Sequence, residues 1–360
     1  MKTGSSLQNV AERLQVIQGS KLDVLADPGA LKMIVGYADQ QPLDPVLRVG
    51  ATDRYNVSAL AHQQISGHLD IPKQYYDRML AAKPELLAKN VNDWMGSKNK
   101  KRLIRAVGNG PHAKPTIRAF LSDRYRPLDN YDLMGASMPV VQQYDFEVKS
   151  CELTETHFYL KAIVPTLTTD ISVGDTVALG VCIRNSDVGC SSLAITPLIE
   201  RLICTNGMTI NALAKRKYHV GRRFDALDSS NDFVTAHISD EAREADDKAF
   251  WLGVRDTVAH CANEAVLEDV AAAYKGAKDV PITGNAVEVV ESVGRKVGLT
   301  TAETTSVMEA LIRDGDISQY GVANAVTRHS QDVEDYDRAS QLESIGWNVM
   351  TMHSGAFALN

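Results

Sequence analysis

Two neighbouring runs of alternating residues, separated by a tight-turn sequence, constrain the fold of this chain most strongly. From Phe158 to Val164, and again from Val177 to Ile183, every second residue is apolar. A period of two places these side chains on one face of a β-strand. Gly174 and Asp175 lie between the runs and favour a tight turn. The two runs therefore predict a hairpin or part of an antiparallel meander, and a separate β-like run lies at 116–122.

Helical patterns surround these strands. Ser58 is a plausible N-cap, Pro84 stands where a first helical residue is expected, and Thr300 with Glu303 forms a candidate capping box. A short helix is predicted over 197–204, from a proline start to an Asn-Gly stop, and a long one from about 239 to 275. The sequence therefore predicts an α+β fold, an antiparallel β-meander packed with helices and followed by a mostly helical C-terminal region.

Charge divides the chain unevenly. Residues 1–224 contain 28 Lys and Arg against 21 Asp and Glu, whereas residues 225–360 contain 10 against 24. A Pro-rich connector lies at 41–45. These features predict an N-terminal segment at 1–45, a basic α+β core at 46–224 and an acidic helical region at 225–360.

Two basic clusters indicate an anionic ligand. The first lies within 98–126, where nine Lys and Arg accompany the single acid Asp123, and the second spans 215–223 without an acid. Cations contact phosphates and aromatic rings stack on bases, so interleaved tyrosines favour nucleic acid. The expected phosphate contacts are Arg118, Arg124, Arg126, Lys215, Arg216, Lys217, Arg222 and Arg223, with Tyr125 and Tyr218 stacking on bases. An internal ion-pair network of Arg118, Arg124 and Arg126 with Asp123 and Asp129 is the open alternative.

Other chemistries have little support in the sequence. Phosphate-binding glycine motifs and metal-ligand spacings are absent, so no cofactor and no metal are expected. A nucleic-acid-processing enzyme using Asp123, Asp129 or His219 remains an alternative. Five cysteines without a disulfide spacing, no signal sequence and no apolar run of about 20 residues predict a cytoplasmic protein without a membrane partner.

Residues 61–80 suggest a further alternative, a regulator that reads duplex DNA through a helix-turn-helix. The turn would contain Asp70 and Pro72, and the second helix would present Lys73, Gln74 and Arg78. The apolar positions of such a unit are filled by Ile65, Leu69, Ile71, Tyr76 and Met79. This pattern also fits an ordinary helical hairpin.

Four stretches together resemble an uncharacterised family of phage- and plasmid-borne proteins, catalogued as a domain of unknown function and often labelled phage/plasmid-like protein. The stretches are LDIPKQYYDR at 69–78, RAFLSDRYRPLDN at 118–130, NSDVG at 185–189, and RLICTNGM at 201–208 followed by YHVGR at 218–222. The tail at 321–328 is also similar to the end of such proteins. The resemblance implies a mobile-element origin and an intracellular location.

A β-meander followed by a long helix is also similar, at the level of fold, to single-strand annealing recombinases, which form rings and bind DNA in a basic groove. The leading hypothesis is therefore a protein that binds single-stranded DNA and anneals strands in recombination. It is expected to form a homo-oligomer, for example a ring. Annealing forms no covalent bond, so no catalytic residue is expected.

Overall fold

The computed structural model describes residues 1–110, 113–172, 174–202, 206–210, 215–217, 240–261 and 263–358. For residues 215–217, 240–244 and 247 the description is limited to the backbone. Two β-sheets and their surrounding helices make up these residues. Within them, no helix is both long and apolar enough to cross a membrane.

The first sheet holds six strands in the order β1-β7-β8-β6-β5-β2. All its pairs are antiparallel except β6 with β8, which are parallel. The strands are β1 (Lys21–Ala26), β2 (Leu31–Ile34), β5 (Val46–Val49), β6 (Asp53–Val57), β7 (Arg102–Val107) and β8 (Thr116–Ser122), with a small hairpin of β3 (Tyr37–Ala38) and β4 (Gln41–Pro42) beside them. Residues 1–45 thus supply both edge strands of this sheet.

Three helices pack against the first sheet: α2 (Ala59–His68), α3 (Lys73–Ala82) and α4 (Pro84–Met95). Ser58 caps α2 by accepting a hydrogen bond from the Ala61 amide, as the sequence predicted. The buried side chains of Ile65, Tyr76, Leu87 and others share one core with the strands.

The second sheet is the predicted meander, in the antiparallel order β9-β10-β11-β12-β13, with β14 also paired to β12. Its strands are β9 (Glu147–Leu153), β10 (Phe158–Ser172), β11 (Asp175–Asn185), β12 (Leu193–Arg201), β13 (Asn206–Thr209) and β14 (Lys215–Lys217). Val181 and Ile183 pack in a core with α1 (Leu7–Ser20), α5 (Asn130–Gln143) and α6 (Asp240–Cys261).

The C-terminal helices pack on the other half of this sheet. They are α7 (Glu264–Lys278), α8 (Ala286–Val297), α9 (Thr301–Asp314), α10 (Gln319–Asp332) and α11 (Tyr336–Met350). Val177 and Leu179 of β11 belong to their core. Thr300 and Glu303 form the predicted capping box at the start of α9. The described residues thus form an α+β fold with a helical C-terminal region, which confirms the predicted fold class.

Two predicted helices are corrected by the structure. The predicted helix over 197–204 is wrong, because residues 197–201 belong to β12, which pairs with β11 on one side and β13 on the other. Leu198 and Ile199 are both buried, and a strand covered on both faces loses the alternation that marks a strand. The long helix predicted for 239–275 is two helices, with Asn263 capping the second.

Candidate nucleic-acid interface

A buried arginine lies where the two sheets meet. Arg105 of β7 is 3% exposed, and its guanidinium contacts three aspartates, Asp23 of β1, Asp129 before α5 and Asp187 after β11. Its Nη2 lies 2.6 Å from Asp129 Oδ1, its Nε donates to Asp23 at 3.1 Å, and its Nη1 donates to the Asp187 carbonyl at 2.7 Å. We call these four residues the Arg105 cluster.

Electrostatics keeps the cluster ionised. Burial alone would lower the pKa of Arg105, but the three carboxylates outweigh it and raise that pKa above its usual value. Burial likewise opposes the charged form of Asp129, yet Arg105 and Lys21 hold the pKa of its carboxyl below the usual value. The cluster therefore connects the first sheet, the start of α5 and the loop after β11 through ion pairs.

Two further cations, which line a small cleft together with the cluster, complete the network. Lys21 lies 2.7 Å from Asp129, and Arg118 lies 3.1 Å from Asp187. Three cations and three carboxylates balance in this network. It shares only Arg118 and Asp129 with the internal network that the sequence left open, and these two do not pair with each other. A phosphate contact by Arg118 stays a prediction, and it would compete with Asp187.

The loop after β8 holds the next three predicted residues. Arg126 lies 2.8 Å from Asp246 of α6, and the Tyr125 hydroxyl donates to the Ser186 carbonyl at 3.0 Å. Burial raises the pKa of Tyr125, so its phenol stays protonated. Arg124 is exposed, and no carboxylate in the described part of the chain pairs with it. Of the three cations predicted in this stretch, Arg124 is thus the one that faces solvent without a carboxylate partner among the described residues.

The two basic stretches come together at the loop of residues 186–192. Tyr125 binds the start of this loop at Ser186, and Leu193, the first residue after it, pairs with Lys217 of β14. Gly189 adopts a φ of +84°, and a Cβ there would lie 2.5 Å from Leu121 Cδ2, so the loop packs tightly against β8. The predicted residues Tyr218, Arg222 and Arg223 lie outside the described residues, as does His219.

The structure also shows where the residues of the two alternative functions lie, those of the processing enzyme and those of the helix-turn-helix. Asp123 is exposed and Asp129 belongs to the Arg105 cluster. No three His, Cys, Asp or Glu side chains come together for a metal ion in the ranges that the structure describes. The predicted helix-turn-helix residues form α2 and α3, with Ile65, Tyr76 and Met79 buried. Lys73, Gln74 and Arg78 are exposed, and Lys73 pairs with Asp77 at 2.5 Å.

Sequence reasoning missed most of the Arg105 cluster. Arg105 stands inside an apolar strand sequence, which is the one local signal that its charge needs partners. Asp23 and Asp187 lie 82 residues before and after it, and no local pattern links them. Two of the motif stretches do meet here, because the Asn185 amide donates to Asn130 Oδ1 at 2.8 Å.

Comparison of the chain with protein-family models, with curated proteins and with solved structures gave no match. The motif stretches therefore remain a resemblance. What can be said of function rests on where the side chains and strands lie.

Proposed function

We propose that this protein binds single-stranded DNA and promotes the annealing of complementary strands. The observation that carries the proposal is the meeting of the two basic stretches, about 90 residues apart in sequence, at the loop of residues 186–192. Tyr125 contacts the start of this loop at Ser186, and the Lys215–Lys217 strand pairs with Leu193 directly after its end.

A strand that follows this loop would pass both basic stretches of the chain. Phosphate contacts by Lys and Arg release counterions and supply binding that is independent of sequence and sensitive to salt. Tyr125 is half-buried and anchored through its hydroxyl, which fixes the ring for stacking. Such a surface fits an extended nucleic-acid strand better than a compact small molecule.

Annealing needs no bond-making chemistry. A protein that holds a strand extended, with its base edges free, lowers the entropic cost of pairing. The proposal therefore includes no cofactor and no catalytic residue. It includes self-association, because copies side by side would hold one strand over a longer path.

The test is a titration with fluorescent oligo-dT and with an unrelated duplex, at two salt concentrations, with the mass of the complex recorded. Tight, salt-sensitive binding to the single strand by an oligomer supports the proposal, and accelerated pairing of complementary oligonucleotides tests the annealing step. Absence of binding to either DNA at low salt would overturn it. Metal-dependent shortening of the DNA would favour the processing enzyme instead.

One variant tests the meeting of the two stretches directly. Arg216→Ala removes a cation from β14, the strand paired to Leu193–Ile195 on β12, and should weaken oligo-dT binding several-fold at low salt. The matched control is Arg295→Ala, an exposed arginine of α8 in the acidic half of the chain. Equal binding by the two variants would argue against a role for β14.

A second candidate function rests on α2 and α3. These two helices lie where the sequence predicted a helix-turn-helix, and Lys73, Gln74 and Arg78 are exposed on the second of them. Under this alternative the protein prefers one duplex sequence, and the Lys73→Ala, Arg78→Ala double variant loses that preference. Under the annealing proposal the same variant binds oligo-dT nearly as well as the unmodified chain.

A further inference from the structure

Trp94 is an exposed tryptophan at the end of α4. The apolar pattern of the sequence assigns it to the core face of this helix, yet 54% of its surface is in solvent. The core side of α4 consists of Leu87, Val91 and Met95, all buried. A large aromatic ring that is left exposed commonly marks a binding surface.

Three lysines follow Trp94 closely in the sequence. The helix ends at Gly96, and Lys98, Lys100 and Lys101 come directly after it. Lys98 contacts the exposed Asp70 at 3.3 Å, and Lys101 lies 3.9 Å from Asp27. Lys100 is exposed and pairs with none of the described carboxylates. The segment after Trp94 is therefore cationic and largely open to solvent.

The same segment leads into the predicted interface. Arg102, the first residue of β7, pairs with Ser122, the last residue of β8. Arg124 follows two residues later, and its amide donates to the Ser122 hydroxyl. Lys100, Lys101 and Arg124 thus lie at one end of the first sheet.

This end of the sheet is electropositive. Burial is the main cause that lowers the pKa of His68 to about 4, and the charges of Arg102 and Lys98 act in the same direction, against the opposing charge of Asp70. The charges of Arg102 and Lys98 are part of the positive field that a phosphate would meet. An apolar protein partner would gain nothing from this field, whereas a polyanion with exposed bases matches both the ring and the lysines.

We propose that Trp94 is a stacking platform for an unpaired base, and that Lys100 and Lys101 hold the neighbouring phosphates of the strand that also contacts Arg124. This inference rests on the proposed function and extends its surface from the loop of residues 186–192 to the end of α4. It predicts that Trp94 contributes to single-strand binding and little to duplex binding, because paired bases are already stacked.

The three tryptophans of the chain make the test direct. Trp347 is buried, and Trp251 is partly buried against Phe250, with ring centroids 4.8 Å apart. Titration with oligo-dT should therefore quench chiefly Trp94 fluorescence. The quenching should disappear in Trp94→Phe, which keeps an aromatic ring and should bind within about threefold of the unmodified chain.

Trp94→Ala removes the platform and should weaken oligo-dT binding about 5- to 150-fold, the range that corresponds to base stacking on an aromatic side chain. Leu86→Ala, another exposed apolar residue of α4, is the matched control and should bind normally. Thermal unfolding of each variant checks that the helix remains folded.

The outcomes separate this inference from the proposed function. Normal oligo-dT binding by a folded Trp94→Ala, quenching that persists in Trp94→Phe, or equal quenching by a duplex would each overturn the stacking role and leave single-strand binding in place. Failure of the unmodified chain to bind oligo-dT would overturn both.

Discussion

The basic run of residues 98–126 contains both buried and exposed cations. Arg105 is buried between three aspartates, whereas Lys100 and Arg124 face solvent without a described carboxylate partner. A charge that is buried must be neutralised locally, and a charge in water need not be. Charge density along the sequence therefore overstates the number of cations that are open to a ligand.

The largest effect on stability is expected from Arg105→Met. The substitution leaves Asp23, Asp129 and Asp187 without their shared counter-charge at the junction of the two sheets. The free energy of unfolding should fall by about 3–5 kcal/mol, the usual result of breaking a buried ion pair. Urea unfolding measures it, with Arg295→Met on the surface as the control. A loss no larger than that of the control would mean that the cluster does not stabilise the junction.

Arg118→Ala should have a smaller effect. Arg118 makes two hydrogen bonds to Asp187 from the rim of the network, while Arg105 still contacts that aspartate. A loss of about 1–3 kcal/mol is expected for hydrogen bonds to a charged group. Oligo-dT binding distinguishes the two interpretations of Arg118. A folded variant that binds normally would assign Arg118 to the internal network alone.

A pH-dependent contribution to the stability of the fold is expected from Glu303, an ion-paired carboxylate in the acidic C-terminal half of the chain. The hydrogen bonds from Arg338 lower the pKa of Glu303 to about 2. A carboxyl whose pKa is depressed on folding adds stability above its unfolded value of about 4.3, and that stability is lost as the pH falls towards 2. Glu303→Gln should therefore weaken the rise of the thermal midpoint between pH 2 and pH 4.3. An unchanged slope would contradict this assignment.

The smallest effect on stability, within about 0.5 kcal/mol, is expected from Arg124→Ala, because its side chain has no described ion-pair partner. The effect of this variant should appear in the affinity for oligo-dT instead. Loss of one phosphate contact should weaken oligo-dT binding and reduce the slope of log K against log salt by about 1. If the salt dependence stays the same, Arg124 is not a phosphate contact.

Local patterns predicted the elements in which larger apolar side chains alternate with polar or small ones, or in which a capping residue marks the start of a helix. The alternation in 158–164 and 177–183 and the turn between them predicted the β10–β11 hairpin, whose register pairs Leu160 with Ile183. Thr300 and Glu303 predicted the start of α9. The same reasoning failed at 197–204, because the buried β12 carries the adjacent apolar residues Leu198 and Ile199, which do not alternate with polar ones.

The candidate interface was only half predictable. Composition indicated that cations cluster in 98–126 and 215–223, but it could not distinguish paired from free ones. Arg118 meets Asp187 from 69 residues away, and Arg126 meets Asp246 from 120 residues away. The exposure of Trp94 could not be predicted from the sequence either, because helical spacing alone places it near the core face of α4.

Side-chain periodicity and composition were enough to predict the class of fold, the β10–β11 hairpin of the meander and the concentration of positive charge in the first part of the chain. Which cations are neutralised within the protein, and that the two basic stretches meet at one loop, became visible in the folded chain. Ion pairs and strand pairs join residues that are distant in sequence, and their energy depends on burial, which no local pattern encodes.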